Sequence, residues 1–180
     1  RIAFLREAMA FAAQLRAPTL CFRCGRLPEK WDSRDGQVLL DVLSDLAGYG
    51  NHVGVMLAVT PTADPAEKLV ELLSRIKTRP IGVDFDPAHF AMTAQPVSES
   101  LRTLHQFVAH VQLRDGVRQL DGNGAETAVG QGAVDWAEVV ALLGEMDFVG
   151  WLTAIRTQGD DKPGDVARGL RYVQRLLHGG

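Results

Sequence analysis

Pro80-Ile-Gly-Val-Asp-Phe-Asp-Pro-Ala-His89 decides how the rest of the chain is read. Five apolar or small residues, interrupted by the single acid Asp84 and closed by Asp86-Pro87, read as a short buried strand. The strand ends where a loop or helix must begin. Working outward in both directions, similar runs recur: residues 18–23, 53–59, 108–113 and 150–155. Between them lie stretches with helical spacing of apolar residues. These are 1–15, 38–47 with Leu43 and Leu46, 65–76 with Leu69, Leu72 and Leu73, 96–107, 135–146 and 165–177. Asp64-Pro65 reads as a helix N-cap with proline at the first helical position. The order is α, then βα five times. Strands alternating with helices predict parallel strands joined by helical crossovers. An open doubly wound sheet and a stretch of a (β/α)8 barrel both satisfy that order. Both put function at the carboxyl ends of the strands.

Composition narrows the function classes. The 180 residues are 46% hydrophobic and 23% charged, with a formal net charge of −3. That is globular composition with no basic excess, so no nucleic-acid partner is expected. No apolar run reaches the ~18 residues of a membrane span. Two cysteines make no disulfide framework, and a cytoplasmic setting is expected. Cys21-Phe-Arg-Cys24 reads as strand packing rather than a redox pair, because positions i and i+3 of a strand face opposite sides. No G-x-G-x-x-G follows the first strand and no phosphate-binding G-x-x-x-x-G-K-[ST] occurs.

The strand ends carry a resemblance. Ile81-Gly-Val-Asp-Phe-Asp-Pro-Ala-His89 resembles the sixth-strand motif of the xylose isomerase-like TIM-barrel superfamily, the sugar phosphate isomerases and epimerases and their relatives. His110-Val-Gln-Leu-Arg-Asp115 resembles the seventh-strand motif, and Val129-Gly-Gln-Gly-Ala-Val-Asp-Trp136 the segment opening the seventh helix. Gly150-Trp-Leu-Thr-Ala-Ile-Arg156 resembles the eighth strand, and Gly54-Val-Met-Leu-Ala-Val-Thr60 the fifth. The fold expected from this resemblance is α/β: a partial (β/α)8 TIM barrel over residues 1–180, a single domain with strands equivalent to the fourth to eighth. The first three β/α units have no counterpart.

The resemblance implies a divalent ion such as Mn, Mg or Zn, held by acids from the fifth, sixth and eighth strands and a histidine from the seventh. Such an ion polarises a substrate oxygen. In this sequence those positions are Thr60, Asp86, Ile155 and Gln112. Asp86 and His89 are the remnant ligands. One carboxylate and one imidazole make a poor cage for a dication, so the metal site reads as degenerate and no cofactor is expected. Asp84 and Asp86 lie two apart and need a cation, for which Arg114 and Arg156 are candidates, or else one of them is protonated. The pocket candidates are Thr60, Asp84, Asp86, His89, His110, Gln112, Asp115 and Arg156. Trp31, in the loop after the first strand, is a candidate lid residue, whereas Trp136 and Trp151 are expected to pack. Residues 116–132 read as a long glycine-rich lid or disordered loop, in which nothing in the sequence anchors Glu126.

Two function classes follow. One is a sugar isomerase or epimerase homologue. The other is a non-catalytic, metal-free relative that binds a small polar ligand, a polyol or sugar, or a protein partner. Five strands also leave two open edges, at residues 19–22 and 151–154, so the expectation is either a piece of a longer protein or a partial barrel that a partner completes, a homo-oligomer through those edges being one such assembly.

Overall fold

The computed structural model describes residues 2–77 and 80–178. By its internal contacts the chain divides into two compact units, residues 1–84 and 85–180.

The first unit alternates helix and strand: α1 (Ile2–Gln14), β1 (Thr19–Phe22), α2 (Arg34–Val53), β2 (Met56–Val59), α3 (Ala66–Arg75) and β3 (Ile81–Phe85), whose last residue crosses the boundary. β1 pairs with β2 in parallel, Thr19 opposite Met56, and β2 with β3, Leu57 opposite Ile81. β3 is buried at every position, as expected of a strand covered on both faces. α2 begins at Ser33, whose hydroxyl accepts from the Gly36 N–H. It ends at Gly54, in the left-handed region at φ 78°, where a side chain would be strained. Helix α2 therefore runs on to Val53, and the strand after it is shorter than its apolar run suggests. α3 buries Ala66, Leu69, Leu72 and Leu73, the stripe read from the sequence.

Asp64 does not cap α3. The cap position is Pro65, with no side-chain bond. Asp64 instead accepts from the Leu27 N–H at 2.9 Å, the Thr62 hydroxyl at 3.0 Å and Lys68 Nζ at 3.2 Å, tying the loop after β1 to α3. Trp31 is buried, its Nε1 donates to Glu71 at 2.8 Å, and the Arg75 guanidinium lies 5.5 Å from its ring centre. It is held packing, not a lid.

The second unit holds α4 (Pro87–Met92), α5 (Val97–Leu104) with a 3-10 turn (His105–Phe107), β4 (Val108–Leu113), β5 (Asp115–Arg118), β6 (Gly124–Thr127), α6 (Trp136–Glu145), β7 (Trp151–Ala154) and α7 (Lys162–Leu177). β4 and β7 pair in parallel, Gln112 opposite Thr153. Residues 116–132 are not a lid loop. They are mostly an antiparallel hairpin, β5 with β6, Asp115 opposite Thr127. The core of this unit is Phe85, Phe90, Leu101, Leu104, Trp136, Val139 and Leu142, all nearly or fully buried. Trp136 packs as expected, but Trp151 is 65% exposed, at the start of β7. Among the described residues no helix is long and apolar enough to cross a membrane.

Candidate functional site

Asp86 ends β3 and caps α4: its carboxylate accepts from the His89 N–H at 3.3 Å, with Pro87 at the first helical position. This Asp-Pro is a true N-cap pair. The same fully buried carboxylate is held by the Arg114 guanidinium, from the bend between β4 and β5. Arg114 reaches on to Glu126 at 2.9 Å, and Arg156, just past β7, meets the other Glu126 oxygen at 3.2 Å. Arg156 Nε donates to Asp165 at 2.9 Å. Arg168 closes the series on Asp165 at 2.6 Å and Asp161 at 3.1 Å. Acid and base thus alternate: Asp86, Arg114, Glu126, Arg156, Asp165, Arg168, Asp161.

Glu126 is the centre of this ladder. Its side chain is 3% exposed and, besides both guanidiniums, it accepts from the Thr157 N–H at 2.8 Å, the Thr157 hydroxyl at 2.6 Å and the Gln158 N–H at 3.4 Å. Burial alone would raise its carboxyl. The Thr157 and Arg114 hydrogen bonds and the Arg114 charge outweigh burial and bring it from 4.5 down to about 2. A carboxylate that acidic is a weak proton acceptor at neutral pH, so the ladder organises charge rather than moving protons.

The hairpin that delivers Glu126 is pinned by Asp115. Its fully buried carboxylate accepts from the N–H groups of Gly116 at 2.8 Å, Gly130 at 2.9 Å and Val134 at 3.2 Å. Gly132 lies so close that a Cβ there would sit 2.0 Å from Asp115 Oδ1. Asp115 is therefore an anchor for the loop. Asp115→Asn keeps one acceptor oxygen for three donors and is expected to cost about 1–2 kcal/mol. Urea denaturation checks this, and a change below a few tenths would deny the anchoring role.

In the first unit the Thr60 hydroxyl donates to Asp84 at 2.6 Å. Cys21, beside Asp84, is a half-buried thiol that burial and the Asp84 charge push up to about 12, and burial raises Cys24 to about 11, so neither is a ready nucleophile. In the second unit His110 Nε2 lies 2.7 Å from the Thr153 hydroxyl, and Gln112 is buried on β4. His89 stands on α4 with its ring edge-on to Phe90. Ile155 lies between β7 and Arg156, a hydrocarbon where the resemblance implies an acid. Sequence reading named Arg114 and Arg156 as partners for acids but gave Asp161, Asp165 and Arg168 no role. Their sole trace was an acid-rich start to the last helix.

Comparison with known proteins places the fold. A xylose isomerase domain protein from Planctomyces limnophilus superposes with a TM-score of 0.86 at 24% identity, over 97% of this chain and 63% of its own. A xylose isomerase-like TIM barrel protein from Mycobacterium smegmatis, solved in complex with magnesium, gives 0.80 at 14% identity, over 98% and 67%. D-psicose 3-epimerase from Clostridium cellulolyticum H10, solved with D-tagatose, gives 0.74 at 12%, over 98% and 70%. No curated protein matches the chain. The chain spans 63% of the length of the first of these relatives. The fold is α/β, a partial (β/α)8 barrel of five parallel strands covering about two thirds of such barrels. The Xylose isomerase-like TIM barrel family model matches residues 1–176, and the chain belongs to that family.

Proposed function

We propose that this chain is part of a sugar isomerase/epimerase-like barrel that takes a small polar ligand, a polyol or sugar, without a divalent ion. One observation carries this reading: the acid at the sixth-strand position, Asp86, is held by the Arg114 guanidinium. A fixed internal cation occupies the carboxylate that a metal would need, and a dication beside a guanidinium is repelled. The remaining positions supply a hydroxyl that donates to Asp84, an amide and a hydrocarbon, at Thr60, Gln112 and Ile155. This donor set does not fit a divalent metal, which needs several anionic or imidazole ligands. In the inner ladder the charges of Asp86 and Glu126 are matched by Arg114 and Arg156, which favours an uncharged, hydroxyl-rich ligand over an anion or cation. We also propose that residues 1–180 belong to one barrel domain, and that its exposed strand edges are covered by a further part of the protein or by a second copy.

Elemental analysis of protein purified without chelator, with Mn titration calorimetry alongside, tests the metal-free reading. The expected result is substoichiometric metal and no saturable Mn binding. About one Zn, Mn or Mg per chain, removed by Asp86→Ala, would overturn it. Titration with D-tagatose and D-fructose then separates a ligand-binding relative from a protein-docking one.

A further inference from the structure

The last helix carries a feature unrelated to the ladder's inner end. α7 holds Lys162, Arg168, Arg171 and Arg175 against a single acid, Asp165, in a chain whose net charge is −3. Positions 168, 171, 172, 175 and 178 follow the i, i+3, i+4, i+7 pattern and share one helix face. That face lines a cavity of about 730 Å³ together with Val129, Gly130 and Gln131. The volume lies within the range of small-molecule sites, roughly 300–1,000 Å³.

The concavity is built rather than incidental. Gly130 stands in the left-handed region at φ 85°, and a Cβ there would lie 3.1 Å from the Tyr172 ring. Bare backbone therefore closes over the ring, and Asp115 fixes the loop through the Gly130 N–H. Among the described residues no acidic side chain lines the cavity. Arg168 is shared with Asp161 and Asp165. Arg171 and Arg175 have no carboxylate partner among the described residues. Arg175 and His178 near the helix C-terminus are accounted for in part by the helix dipole, but Arg171, in mid-helix, is not.

We propose that this cavity is a binding site for a small oligophosphate, the class of ligand with two or more linked phosphoryl groups. Guanidiniums pair with phosphoryl oxygens through parallel charge-assisted hydrogen bonds. Arg171 and Arg175 are four residues apart, about 6 Å along the axis, so a linear phosphoryl chain reaches both. Charge concentrated on a few helical turns around a concavity favours a compact anion over an extended acidic segment. The site lies along the last helix and does not depend on the proposed sugar ligand.

Calorimetric titration with inorganic tripolyphosphate, at neutral pH and without divalent ions, tests it. Saturable binding at about one per chain is expected, weakening as salt is raised. The double variant Arg171→Gln/Arg175→Gln is expected to bind about ten-fold more weakly. Arg102→Gln, an exposed arginine on α5, should bind as the parent does. Arg171, Arg175 and Arg102 are all exposed, and matching thermal melts confirm intact folds. Tyr172→Ala, which opens the cavity wall while keeping the charges, should weaken binding as well. No saturable binding overturns the proposal. So does equal affinity in the double variant, equal weakening by Arg102→Gln, or preference for a poly-glutamate peptide of matched charge.

Discussion

Replacing Arg114 with methionine is expected to cost about 3–5 kcal/mol of stability at neutral pH, the range for removing one partner from a buried ion pair. Methionine fills much of the same volume but leaves the carboxylates of Asp86 and Glu126, 0% and 3% exposed, without their shared guanidinium. Against a typical total of about 5–15 kcal/mol for a domain, this is a large fraction. The variant has its own pH signature. With the guanidinium gone, the buried carboxylates are relieved by taking up a proton. Stability of the variant therefore increases as pH falls from 7 toward the unfolded carboxyl range near ~4. Thermal melts across that window should show the variant gaining while the parent does not. A loss below about 1 kcal/mol, or melts that run parallel, would mean that Arg114 is not the cation that neutralises this site.

Glu126→Gln attacks the same ladder from the acid side. Five donors converge on the Glu126 carboxylate. Glutamine offers one oxygen and turns an NH2 group toward a guanidinium or an N–H. Lowering a carboxyl from 4.5 to about 2 corresponds to about 3 kcal/mol of folded-state preference for the charged form. Because the folded value is depressed, that contribution is complete above the unfolded value of 4.5 and is lost as pH falls toward about 2. The gap between parent and variant should thus be widest at neutral pH and close in acid. Here it closes because the parent weakens, whereas in Arg114→Met it closes because the variant strengthens. A gap independent of pH would assign the loss to packing alone.

Two Asp-Pro pairs show where sequence reading succeeds and where it stops. Asp64-Pro65 and Asp86-Pro87 look alike, and both precede helices. Asp86 caps its helix through the His89 N–H, while Asp64 turns away to the Leu27 N–H and Lys68. Local preference allows the cap in both places. A loop brought close by chain folding competes for one carboxylate and wins. Residues 116–132 make the same point. Their glycines read as a lid or disordered loop, because the segments that form the hairpin lack the alternating apolar pattern of a strand pair. The hairpin's order comes from Asp115 gathering three N–H groups from residues up to 19 positions away.

The α/β order, the five parallel strands and the amphipathic helices between them were legible in the sequence, because apolar periodicity is a local consequence of which face meets the core. The strand-end motifs also carried the family, and with it the positions at which a metal would be sought. Local patterns do not reveal which charge meets which. Asp86, Arg114, Glu126, Arg156 and Asp165 are spread over 80 positions, yet the fold sets them side by side in alternating sign. Glu126 had no anchor in the sequence and became the most strongly bound acid of the ladder. Ion pairing depends on distance and on the loss of water around both partners, and in this chain tertiary packing supplies both.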